Sequence, residues 1–241
     1  NRDGAAADVE YLKTAPPDGF YGMAYYPHNL HFLVDSEMMR GRRAAASDAA
    51  AQVAKLMGPH TAMMPMVESL ITIQTAVLLR FGRHDEILKL ASPPADHPVE
   101  VAFWRFARGV ALARSGRADD AEMERSALEE AIAKVPKEAL FGGTGLVAAT
   151  EVLAVAQQIL DARIAWARGA QAEAVKAWTG VVAAADKLPY DEPPVFFYPV
   201  RESLGAALLE SGKAVDAEKV FREDLVRHPR NARSLFGLQA S

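Results

Sequence analysis

The chain has 241 residues, half of them apolar and 24% charged, a balance that buries a substantial core and excludes a disordered chain. Its formal charge of −4 speaks against a nucleic-acid partner, which needs Lys and Arg clustered on one face. It has no cysteine, so disulfides, thiolate metal sites and thiol nucleophiles are excluded, and its longest apolar stretch, Leu146 to Leu160, is interrupted by Thr150, Glu151, Gln157 and Gln158, too early to span a membrane.

Apolar residues recur at three- and four-residue spacing without sustained period-two alternation, so the sequence predicts an all-α protein. Ala5 to Leu12 reads as the second helix of a unit whose first helix precedes it. Thr14 to Tyr26, with Pro16, Pro17, Gly19 and Gly22, reads as an irregular aromatic-rich connection. Helices are expected at 28–39 and 43–57, then at 66–81 and 84–91, where Pro93, Pro94 and Pro98 force a break. A third pair covers 99–115 and 118–135. After Pro136 and the turn formed by Gly142, Gly143, Thr144 and Gly145, a long helix to Arg168 pairs with one over 171–187. A second proline-rich aromatic connection, Pro189 to Tyr198, leads to helices at 199–211 and 214–227. Pro229 ends that pair, and Ala232 to Ala240 begins a further helix. The units so defined are 28–58, 66–92, 99–136, 146–188 and 198–231, in a single helical-repeat domain over 1–241 that reads as a piece of a longer array with partial helices at both ends.

A repeated spacing underlies these units. Five times a glycine is followed five residues later by a small or apolar residue opening a second apolar stretch: Gly41/Ala46, Gly82/Ile87, Gly116/Ala121, Gly169/Ala174 and Gly212/Ala217. A helix-turn-helix unit of this kind cannot bury its own apolar stripe, so neighbours must stack into a solenoid. In "SLGAALLESGKAVDAEKVFREDLVRHPRN", Gly205 lies seven residues before Gly212, Ala217 follows five after it, Phe221 and Leu225 follow at intervals of four, and Pro229 closes the unit. This stretch resembles the tetratricopeptide repeat family. Gly109, Gly116, Ala121 and Leu128 repeat the scheme, as do Ala162, Gly169, Ala174, Trp178 and Val181, whereas the second unit carries Thr75 and Ile87 at its small positions. Successive turn glycines are 41, 34, 53 and 43 residues apart, and only one interval equals the family's 34-residue period. The resemblance, over about residues 28–240, implies an α-α superhelix of irregular repeat length whose concave groove holds a protein or peptide segment.

The segments "GFYGMAYYPHNLHFL" and "EPPVFFYPVRESLG" are alike: each is aromatic and runs into Tyr-Pro, with Pro27 and Pro199 expected at the first position of a helix. They resemble a group of bacterial tetratricopeptide proteins of poorly defined function, which leaves cytoplasm and periplasm both open.

In this family the second and fifth positions of each first helix face the groove. The resemblance therefore implies that His28 and His31 face inward, with Ser69, Thr72 and Arg80, then Phe103, Phe106 and Arg114, then Arg163 and Trp166, and finally Tyr198, Arg201 and Glu202. Together they describe an aromatic and basic trough suited to a peptide bearing an acidic group, since a guanidinium offers paired donors to a planar anion. The alternative is that Phe103, Phe106 and Trp166 are buried between units and that Arg201 bridges to Asp191 or Glu192. The i, i+3 spacing of His28 and His31 puts both imidazoles on one helix face, half of a possible site for Zn²⁺, Fe²⁺ or Cu²⁺. Asp35 is about 10.5 Å of helix rise from His28, too far to join them. The alternative has these imidazoles bonded to backbone or tyrosine oxygens, and Asn29 as a structural hydrogen-bonding residue. His60, His84, His97 and His228 read as solvated, and the glycine turn at 142–145 lacks the strand and Gly-Lys-Ser/Thr of a phosphate loop. No catalytic motif is present. Two functions follow: a non-catalytic peptide-binding scaffold without cofactor, and a metal-binding protein or metalloenzyme in which His28 and His31 supply half of a site that an N-terminal region preceding Asn1 is expected to complete.

Overall fold

Five turns set the architecture. At Gly41, Gly82, Gly116, Gly169 and Gly212 the backbone takes φ between +63° and +78°, a region that glycine alone enters without steric cost. In each turn the glycine N–H bonds to the carbonyl three residues back, and the next N–H to the carbonyl five back, as in Arg42 N to Glu37 O and Lys213 N to Leu208 O, both 2.9 Å. This double closure satisfies the free carbonyls of a helix end and turns the chain sharply.

The computed structural model describes residues 1–16, 19–61, 67–142 and 146–241. Around the turns it forms hairpins α2 (Tyr26–Met39) with α3 (Arg43–Met57), α4 (Val67–Ile71) and α5 (Ile73–Arg80) with α6 (His84–Leu88), and α7 (Pro98–Arg114) with α8 (Ala118–Ile132). Next come α9 (Ala149–Ala167) with α10 (Gln171–Ala185) and α11 (Val200–Glu210) with α12 (Ala214–Arg227); α1 (Arg2–Tyr11) packs before the first hairpin and α13 (Ala232–Ala240) after the last. The result is an all-α stack of neighbouring helix pairs with unequal repeats.

Several local expectations are corrected. The first aromatic connection is partly helical: Tyr21–Tyr25 is a π-helical turn running straight into α2. Pro27 has no N–H to offer the i→i−4 ladder, and the turn before it widens, with Tyr26 N bonding back to Tyr21 O. Pro199 stands just before α11 as its N-cap instead of at its first position. The helix expected over 66–81 begins within the described residues at Val67 and breaks at Thr72, whose hydroxyl donates to Ser69 O at 2.6 Å and competes with the helical ladder. The helix expected at 84–91 ends at Leu88. Of the glycine turn, residues 143–145 lie outside the described residues. On either side, β1 (Leu140–Phe141) and β2 (Val147–Ala148) pair antiparallel, so the long helix starts at Ala149.

Two main cores result. One, under α7 to α12, holds Phe106, Leu153, Ile159, Leu160 and Trp178, all without solvent exposure or nearly so. The other, under α1 to α5, holds Leu30, Val34, Val53 and Ile73. Phe197, from the second aromatic connection, packs against both. Close approach at the last unit depends on glycine: a Cβ on Gly205 would lie 2.5 Å, and one on Gly237 2.3 Å, from the Phe221 ring, which is clamped between α11 and α13.

Candidate functional site

Helices α5, α7, α9, α11 and α13 border a trough of about 690 Å³. Six residues expected on the inner wall line it: Arg80, Arg114, Arg163, Trp166, Tyr198 and Glu202. His28, His31, Phe106 and Arg201 do not. For His31 and Phe106 the reason is the second aromatic connection, which the sequence presents only as a linker. Val195, Phe196, Phe197 and Tyr198 lie across the inner faces of the earlier hairpins and close that part of the groove with the chain's own side chains.

Phe106 is therefore fully buried, its ring 6.2 Å from Phe196 and 5.9 Å from Tyr198 between centroids, and Phe103 is 4% exposed beside it. His31 meets the edge of Phe197 at 5.1 Å and is 4% exposed. Neither of its ring nitrogens has a hydrogen-bond partner among the described residues, and an aromatic ring stands where a backbone or tyrosine oxygen is expected. Burial first, and the neighbouring His28 second, push its imidazole down to about 3. His28 is partly buried with its ring edge-on to Phe32. No group of three His, Asp or Glu residues able to hold a metal occurs among the described residues, so these two imidazoles still lack a third protein donor. Asn29 is structural: its amide donates to Asp8 at 2.9 Å. Arg201 points to the other side of α11, into a second cavity of about 360 Å³, and donates to Asp186, not to Asp191 or Glu192.

Within the trough the charges fall into two sets. Arg80 donates to both Glu202 oxygens at 3.0 and 2.8 Å, and the two side chains are 4% and 10% exposed. Asn231 donates to Glu202 at 2.8 Å, and Arg233 caps the end of α5 by donating to Arg80 O at 2.8 Å. This clasp joins the second hairpin to the last one, 122 residues apart. Its charges are satisfied by each other.

Arg163 is held differently. Its Nε donates to Tyr198 Oη and its Nη2 to Ser203 Oγ, each at 2.9 Å, while the guanidinium sits 4.7 Å from the Trp178 ring centroid and 5.8 Å from that of Tyr198. All four contacts are to neutral groups, and such aromatic faces attract a cation without neutralising it. Arg114 is exposed and has no carboxylate partner among the described residues. His84, expected from the sequence to be solvated in a turn, shares the cavity with these two. It lines the trough, and burial first, then the charges of Arg114 and Arg163, lower its imidazole below the usual histidine range. Trp178, Ser203, Arg233 and the 72% exposed Phe236 are also part of the lining. No local signal marks them: Trp178 reads as a packing residue of α10, and Phe236 and Arg233 reach the site only because α13 folds back beside α11. Comparison with protein-family models, curated proteins and solved structures gives no match.

Proposed function

We propose that this chain is a non-catalytic scaffold that captures a protein or peptide segment bearing an acidic group in the trough, in keeping with its resemblance to tetratricopeptide repeats. The observation that carries this reading is Arg163: a guanidinium oriented by two hydroxyls and two aromatic faces, with no carboxylate on it among the described residues. Arg114 adds a second unneutralised cation, so an incoming carboxylate or other oxyanion gains charge-assisted hydrogen bonds without displacing an internal acid. Trp166 and the exposed Phe236 give the apolar parts of the same segment a surface to cover.

Tryptophan fluorescence titrations with acidic, neutral and basic peptides of equal length test this. Acidic peptides are expected to bind, and Arg163→Ala and Arg114→Ala each to weaken binding by about tenfold or more, the scale of one charge-assisted hydrogen bond. Equal binding of basic peptides, or indifference to both substitutions, would defeat the reading. Elemental analysis separates it from the metal-dependent alternative: stoichiometric Zn, Fe or Cu that disappears in a His28→Ala/His31→Ala variant favours the latter.

A further inference from the structure

We propose that the trough receives its ligand's anionic group at a subsite made by His84, Arg114 and Arg163, and that His84 takes up a proton as that group arrives. This rests on the acidic-ligand reading above but can fail separately from it. The three side chains come from α6, α7 and α9, separate elements of two neighbouring hairpins and the one between them and α11, and they converge on one cavity. Arg163 is fixed there by Tyr198, Ser203 and Trp178, and Arg114 is free of any acid among the described residues.

His84 is the only neutral base in that convergence. Two guanidinium charges and partial burial work against its protonation, and only Asp85, on its own helix, works in favour. The cavity's remaining charges are Arg80, Glu202 and Arg233, joined in the clasp, and Glu210 on α11. An anion placed against Arg114 and Arg163 cancels the repulsion they exert and offers His84 an acceptor, so the protonated imidazole becomes favourable in the complex. The atoms balance simply: one proton passes from solvent to the free ring nitrogen, and no bond of the ligand is broken. Because the complex holds more protons than the free protein, affinity must rise as pH falls, by at most about tenfold per unit, between the free and bound titration midpoints, and must be flat outside them.

Inorganic sulfate is a suitable probe, since it stays a dianion across this range and any proton uptake belongs to the protein. The experiment follows the Cε1–H resonance of His84 by NMR from pH 4.5 to 8.5, in sodium sulfate and in sodium chloride of equal ionic strength, with His60 and His97 as internal references. His84 is expected to titrate below the usual histidine range in chloride and to move upward in sulfate while the references do not. Arg114→Gln, at an exposed position, is expected to raise the midpoint in chloride and shrink the sulfate shift; Arg163→Gln is expected to do the same. A His84 midpoint indifferent to sulfate, or a shift unchanged in Arg114→Gln, would overturn the proposal. Sulfate-dependent protonation without any peptide binding would leave this subsite standing and remove the peptide reading; peptide binding without movement of His84 would do the reverse.

Discussion

Along one stretch of the inner wall, His31, Phe103 and Phe106 lie beneath residues 195–198 of the chain itself; along the next, Arg114, Arg163 and Trp166 border open space. Both stretches are built from first helices of hairpins, and both carry aromatic and cationic or titratable residues. The difference is made by a ten-residue connection, Pro189 to Tyr198, that crosses one half and stops at the other. Its last aromatic residue, Tyr198, belongs to both: its ring packs on Phe106 in the closed half and its hydroxyl accepts from Arg163 in the open half. An inward-facing residue is thus packed away where the chain supplies its own cover, and borders open space where it does not.

That division can be broken most severely at the clasp that holds the two halves together. Glu202→Ala leaves Arg80 buried and unpaired, and a loss of about 3–5 kcal/mol is expected in urea unfolding. Replacing both partners, as Arg80→Met with Glu202→Leu, is expected to cost clearly less than the single change, because no orphaned charge remains. A double variant as unstable as Glu202→Ala would show that the clasp does more than neutralise itself.

A smaller effect is expected from uncovering the closed half. Phe197→Ala removes a ring shared by both cores, for an expected loss of about 1.5–3 kcal/mol. It also admits water to His31, whose imidazole should climb from about 3 toward its ordinary 6.5. An NMR titration in which His31 stays put would contradict the packing described here.

The pH dependence of stability sharpens the same contrast. In the folded chain His31 is neutral down to about 3, whereas the unfolded chain protonates it below 6.5. The unfolded state therefore binds more protons in that window, and stability should fall as pH drops from 6.5 toward 3, by up to about 1.4 kcal/mol per unit, and be flat above it. His31→Leu should remove this contribution. His228 works with the opposite sign. Its hydrogen bond to Asp224 raises its imidazole, so its contribution is complete below 6.5 and is lost as pH rises through the folded value; His228→Ala should flatten that alkaline limb. The smallest stability change belongs to the open half: Arg114→Ala should alter unfolding by no more than about 0.5 kcal/mol while weakening capture of acidic peptides.

Much of the fold was legible because its causes are local. The five turn glycines, each read from its spacing to Ala46, Ile87, Ala121, Ala174 or Ala217, are all left-handed, since only glycine takes that conformation freely and the following helix must begin at once. Six of the ten residues that the tetratricopeptide resemblance puts in the groove line the trough, Tyr198 among them from the connection before α11 and not from a helix. Thr72 and the short strands at 140–141 and 147–148 were not legible, as a single side-chain bond and a two-residue ladder leave no periodic trace.

The sequence by itself determined the helical hairpins and their turns, which follow from interactions within a few residues. The two aromatic Tyr-Pro segments mark the limit of that determination: so alike in composition, one became a π-helical turn and the other an irregular cover over His31 and Phe106. Only the tertiary structure decided this, and with it the Arg80–Glu202 clasp and the exposure of His84 to Arg114 and Arg163. Burial and electrostatic surroundings are set by whichever element packs opposite, and here that element is remote in sequence: 122 residues separate Arg80 from Glu202, and Phe197 covers His31 from still farther along the chain.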